Sequence, residues 1–196
     1  MEGGERCARS GEDEPEPSPT WGICWDLGDV VFDEATEVMT PDGVTASAEL
    51  VPGVGELIRS LHARRVPMAV VSDTRIGACE AVLGAHGLTD CIAHAVISEE
   101  IGVEKPHPAM FLAASDLLGL APGRLAMVGN NYERDVVGAH GVGMTTVWFH
   151  WNDRYPAPTG AVADYVATDA DELRDALERW IASLDLSTDG TAGEVR

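Results

Sequence analysis

The chain has 196 residues, 45% of them hydrophobic, and a formal net charge of −20 at pH 7, enough length for one domain with a sizeable core. So acidic a surface repels phosphate backbones and anionic lipid, which excludes nucleic acid and membranes as natural partners. Cys7, Cys24, Cys79 and Cys91 lie scattered, without CxxC spacing or histidines at metal-ligand intervals, which argues against structural zinc and a disulfide framework.

Residues 1–20 contain Gly11-Glu12-Asp13-Glu14-Pro15-Glu16-Pro17-Ser18-Pro19 and almost nothing to bury, so they are expected to be disordered. The same is expected of residues 187–196, leaving residues 21–186 as the folded part. With an acidic start in place of a basic-then-apolar leader and no 18-residue apolar stretch, the chain reads as cytoplasmic.

Trp21-Gly22-Ile23-Cys24-Trp25 is a short apolar run stopping at Asp26-Leu27-Gly28-Asp29, the pattern of a buried strand followed by a turn. Cys24, inside that run, is expected to be buried and inert. Residues 38–45 suggest a small hairpin flap turning at Pro41-Asp42-Gly43. Pro52-Gly53 opens a helical pattern with Val54, Leu57, Ile58 and Leu61 on one face. A second strand over 66–71 stops at Ser72-Asp73, and a helix over 76–85 ends in His86-Gly87. A third strand covers 93–97, and Pro108 sits in the first turn of a helix reaching Leu118. A fourth strand over 125–128 breaks at Gly129-Asn130-Asn131, a helix covers 135–140, and a fifth strand covers 145–149. Tyr165-Val166 adds a short sixth before a final helix over 171–184. Apolar strands alternating with helices imply an α/β fold: a Rossmann-like parallel sheet of five to six strands with helices on both faces. Ligands of such sheets gather at the carboxyl ends of the strands.

Polar residues stand where three strands stop: Asp26 after the first, Ser72 after the second, Asn130 after the fourth, with Asp135 five residues further on. Lys105 precedes the Pro108 helix and is the only lysine; the other twelve basic residues are arginine. An ammonium is a compact point charge, suited to neutralising an anionic oxygen pair at short range. Taken singly each has a structural explanation. Asp26 and Ser72 suit caps or turns, Asn130 a turn, and Asp135 the first turn of a helix; Lys105 would be a chance survivor. Their joint order is harder to explain in that way.

That order, with Trp25-Asp26-Leu27-Gly28-Asp29-Val30-Val31, Val70-Val71-Ser72-Asp73, Glu104-Lys105-Pro106 and Val128-Gly129-Asn130-Asn131 through Asp135, resembles the haloacid dehalogenase-like (HAD) hydrolase superfamily. The resemblance spans about residues 21–149. It implies a carboxylate nucleophile, Asp26, attacking a phosphoryl group to form an aspartyl phosphate that water then hydrolyses. Ser72 and Asp73 would face the substrate, Ser72 by donating to a phosphoryl oxygen. Lys105 would neutralise nucleophile and phosphate and hold both in the attacking position. Mg2+ would be held by Asp26, the Gly28 carbonyl, Asn130 and Asp135. The implied partner is a small phosphorylated substrate.

Two positions depart from the family pattern. Gly28 stands where the usual phosphatase form carries a second aspartate for proton transfer, and Asp29, one residue along, points differently. Asn130 replaces a metal-binding aspartate, which predicts weaker metal binding. Only 25 residues separate Asp26 from Pro52, too few for a large cap domain, so the cleft is expected to be open. An open cleft suits a bulky substrate or a neighbouring subunit as cover, and so a homo-oligomer. Residues 149–156 are expected to form a packed loop at the same sheet edge, with Arg154 and the aromatics as alternative substrate contacts. The rivals are a catalytically weakened relative that binds a phosphorylated ligand or a protein, favoured by Gly28 and Asn130, and a metal-free dehalogenase using Asp26. A receiver domain fits less well, since its phosphorylated Asp would follow the third strand. No GxGxxG or P-loop supports a nucleotide site.

Overall fold

The computed structural model describes residues 18–188, apart from 93 and 157. The disorder expected of residues 1–17 and 189–196, Cys7 and the start of the third strand at residue 93 lie outside the described residues. In chain order the strands are β1 (Gly22–Trp25), β2 (Val38–Met39), β3 (Thr45–Ser47), β4 (Met68–Ser72), β5 (His94–Ile97), β6 (Leu125–Gly129), β7 (Thr145–Phe149) and β8 (Tyr165–Ala167). The α-helices are α1 (Val54–Ala63), α2 (Ile76–Ala85), α3 (Ser98–Ile101), α4 (Pro108–Leu118), α5 (Gly138–Gly141) and α6 (Ala170–Thr188).

Six strands form one parallel sheet in the order β5-β4-β1-β6-β7-β8. Period-two alternation assigns the side chains of β1 to opposite faces. Ile23 and Trp25 join Val70, Val128, Val147 and the apolar faces of α1, α2 and α6. Cys24 joins Ala69, Val71, Met127 and the α4 residues Met110, Phe111 and Ala114. Both faces are covered, which is why the central strands are apolar runs rather than alternating ones. Cys24 is fully buried, and burial pushes its thiol up to about 12, so it stays protonated and unreactive.

Between β1 and α1 stands a small flap, not a large cap. β2 and β3 pair antiparallel, and Gly43 turns the hairpin in the left-handed conformation at φ 76°, which glycine adopts at no steric cost. Two expectations need correcting. The segment expected as a helix over 135–140 begins as a π-helical turn, Tyr132–Val137, and continues as α5. The last helix runs through Ser187 and Thr188, which were expected in the tail; its face of Leu173, Ala176, Leu177, Trp180 and Ile181 packs on the core. No helix among the described residues is long and apolar enough to cross a membrane.

Candidate active site

β4, β1 and β6 are neighbours, so the residues where they stop converge. Asp26 extends β1 by one ladder bond, its amide donating to the Val128 carbonyl at 2.9 Å. Ser72 is the last residue of β4, and Asn130 follows directly on β6. Trp148 on β7 fixes the Asn130 backbone by donating from Nε1 to its carbonyl at 2.9 Å. Asp26, Ser72, Lys105, Asn130 and Asp135 line one cleft of about 470 Å³.

Lys105 joins the two carboxylates. Its Nζ donates to Asp26 Oδ1 and to Asp135 Oδ1, each at 2.7 Å, and the residue is only 4% exposed. Burial alone would lower the pKa of this ammonium, but Asp135 and Asp26 outweigh it and hold the pKa above the ordinary lysine range. Burial raises the Asp135 carboxyl, against the pull of Lys105 and of the Asn131 amide.

The surrounding chain is built to hold this triangle. Asp73 receives the Lys105 amide on Oδ1 at 2.9 Å and Arg134 Nη1 on Oδ2 at 3.0 Å. Its carboxylate thus braces the lysine loop, and Asp73 also lines the cleft. Asp135 Oδ2 accepts from the Asn131 amide at 2.9 Å, folding its side chain back over the end of β6. Gly129 makes that possible, since a methyl group there would fall on the Asp135 side chain. Gly138 does the same one turn later, where a Cβ would lie 2.6 Å from Phe111 Cε2 and 3.0 Å from Pro106 Cα.

The donor set suits a hard divalent cation. Asp26 and Asp135 oppose one ammonium, which leaves a single negative charge before any anionic substrate enters. Among the described residues no three or more His, Cys, Asp or Glu side chains cluster as a metal cage. A Mg2+ ion takes one or two carboxylates, neutral oxygens and its own waters, so the two carboxylates and Asn130 are the residues that could hold one. Asn130 is 6% exposed, and its buried Nδ2 has no hydrogen-bond partner. Rotating the amide puts an oxygen in that place, the atom a cation takes.

The loop after β1 holds what the sequence did not disclose. Asp29 is fully buried and takes φ 50°. Its carboxylate turns away from the cleft, receiving the Glu34 amide at 3.0 Å and pairing with Arg154 Nε. Trp151 Nε1 donates to its carbonyl at 2.8 Å. The loop over residues 149–156 is therefore packed as expected, with Tyr155 reaching the cleft lining. Glu34 begins a short 3-10 turn capped by Asp33, whose Oδ1 accepts from the Ala35 amide at 2.8 Å. A methyl group at Gly28 would fall on Glu34 Oε1. Burial and the Asp29 carboxylate push Glu34 up to about 7, against the pull of Arg154.

The chain is also similar to known proteins. The chain is 33% identical over 132 residues to a glyceraldehyde 3-phosphate phosphatase of Pyrococcus furiosus, covering 66% of this chain and 55% of the relative. It is 31% identical over 160 residues to a ribulose-1,5-bisphosphate 5-phosphatase of Halopiger xanaduensis, covering 82% and 63%. The chain thus spans little more than half the length of these relatives. The solved structure of a HAD phosphatase from Thermococcus onnurineus superposes with a TM-score of 0.60 at 28% identity, covering 66% of this chain and 59% of that one. A haloacid dehalogenase-like hydrolase family model matches residues 24–143. On that match the chain belongs to the haloacid dehalogenase-like hydrolases.

Proposed function

We propose that the protein is a Mg2+-dependent phosphatase that hydrolyses small phosphate monoesters through an aspartyl-phosphate intermediate. The observation that carries this is the buried Lys105 ammonium, bridging Asp26 and Asp135 at 2.7 Å each where the central strands end. Lys105 occupies Asp26 Oδ1 and leaves Oδ2 to attack phosphorus. Held in one orientation, the carboxylate needs no further ordering as the reaction begins. Ser72 donates its hydroxyl to a phosphoryl oxygen, and Lys105 offsets the charge that nucleophile and phosphate bring together. Asp26, the Gly28 carbonyl, Asn130 and Asp135 would hold Mg2+, which when bound polarises the phosphoryl oxygens and completes the charge balance. Two relatives are named for small phosphorylated compounds, and a cleft of about 470 Å³ suits a substrate of that size. The free thiols of Cys24, Cys79 and Cys91 support a reducing, cytoplasmic setting.

The test is hydrolysis of a panel of phosphate monoesters with Mg2+ and with a chelator. Turnover is expected with Mg2+ alone and is lost in Asp26→Asn. Metal-independent turnover, or turnover that survives Asp26→Asn, rules the assignment out.

A further inference from the structure

We propose that Glu34 is the acid–base carboxyl of this site, delivered from the loop after β1 into the space that a side chain at position 28 would fill. The inference rests on the phosphatase reading above. Cleaving an unactivated alkyl phosphate leaves a strongly basic alkoxide, which needs a proton as the bond breaks. The second half of the cycle needs a base to take a proton from water. One carboxyl within reach does both.

Hydrogen bonding among the cleft carboxylates, together with position, singles out Glu34. Asp26 is the nucleophile. Both Asp135 oxygens are engaged, by Lys105 Nζ and the Asn131 amide. Both Asp73 oxygens are engaged, by the Lys105 amide and Arg134. Glu37 accepts from Thr45 Oγ1 at 2.6 Å. Among the described residues no donor hydrogen-bonds the Glu34 carboxyl; its nearest ionic partner is Arg154 Nε at 3.6 Å.

Position makes the second argument. Gly28 is not among the glycines with positive φ, so its backbone conformation does not demand glycine. What matters is the space, because the position a Cβ at Gly28 would take is filled by Glu34 Oε1, the outer end of a side chain that could swing aside but here lies over residue 28. Glu34 thus places a carboxyl over residue 28 from six residues downstream, in space that glycine leaves open. The Glu34 backbone is tied to Asp29 at 3.0 Å, and Asp29 is tied to Arg154, so the carboxyl is delivered by a braced loop.

The cycle balances. Asp26 Oδ2 bonds to phosphorus, the ester P–O bond breaks, and the leaving oxygen takes the Glu34 proton, giving the alcohol. Water then attacks the aspartyl phosphate, its proton passes to the Glu34 carboxylate, and Asp26 departs from phosphorus as a carboxylate. Inorganic phosphate leaves with Glu34 protonated again.

The test compares an alkyl phosphate with an aryl phosphate whose leaving group needs no proton, in full-length protein with Mg2+. Glu34→Ala and Glu34→Gln are both expected to lose alkyl phosphate turnover by roughly 10²–10⁴-fold. On the aryl ester both should release a burst of one equivalent and leave phosphate on Asp26, read by mass spectrometry of the Asp26 peptide. Adding Gly28→Asp to Glu34→Ala restores a carboxyl to the same space and should recover alkyl turnover. Wild-type alkyl turnover in Glu34→Gln overturns the proposal, as does an equal loss on both esters without a burst. If wild-type protein cleaves neither ester, the phosphatase reading falls first and takes the inference with it. If wild type is active and Asp26→Asn is dead while Glu34→Gln is unchanged, only the role of Glu34 falls.

Discussion

Lys105 Nζ sits between two carboxylates in a place water barely reaches, and that changes what the lysine contributes. A surface ion pair is screened and adds little. A buried pair that loses one partner leaves an uncompensated charge in low dielectric. Lys105→Met keeps the side-chain volume and removes the ammonium, forcing Asp26 and Asp135 to face each other unpaired. Chemical denaturation should show a loss of about 3–5 kcal/mol. Adding Asp135→Asn should regain much of that stability and none of the activity. A single variant with unchanged stability would mean the bridge does not hold the site together. The lysine was legible as the one ammonium in an arginine-biased chain. Glu34 was not, because Asp33-Glu34-Ala35-Thr36-Glu37 reads as solvated loop charge. Its place depends on the left-handed turn at Asp29 and on Arg154, 120 residues away in sequence. The usable signal was negative: a missing carboxylate at Gly28 invites a search for another acid arriving over the same backbone.

At the scale of elements, the Asp135 carboxylate and the Lys105 loop are positioned by close approaches that only glycine allows. β6 ends in Gly129, the Asp135 side chain folds into the space beside it, and Gly138 lets α5 approach Phe111 and the Lys105–Pro106 turn. Gly129→Ala must displace Asp135 or the strand end. It should cost about 1–3 kcal/mol, as overpacking does, and should lower kcat by separating Asp135 from Lys105. Thermal unfolding and steady-state kinetics check both; an alanine variant with full activity would contradict this account of the strand end. The main strands and longer helices were legible because their apolar runs are buried on both sheet faces. The π-helical turn over 132–137 was not. Its register follows from Asp135 reaching back to the Asn131 amide, a tertiary demand with no period of its own. The four-residue α3 is too short to leave one either.

The whole molecule builds its sheet outward from β1, with β4 and β5 laid on one side and β6, β7 and β8 on the other. That reversal brings three strand ends to one crevice, as open α/β sheets do at a switch point. The net charge of −20 bears on how an anion reaches that crevice. Repulsion is screened as the Debye length shrinks from about 30 Å at 0.01 M to about 8 Å at 0.15 M salt. The kcat/KM for a dianionic phosphate ester should therefore rise over this range at fixed Mg2+; a fall would show that local positive potential governs entry. The most direct test of the central claim is to quench the protein in acid during turnover of a phosphate ester with Mg2+ and map the phosphorylated peptide. Phosphate is expected on Asp26, and absent in Asp26→Asn. Steady turnover with no phosphate ever trapped on Asp26 would contradict the account.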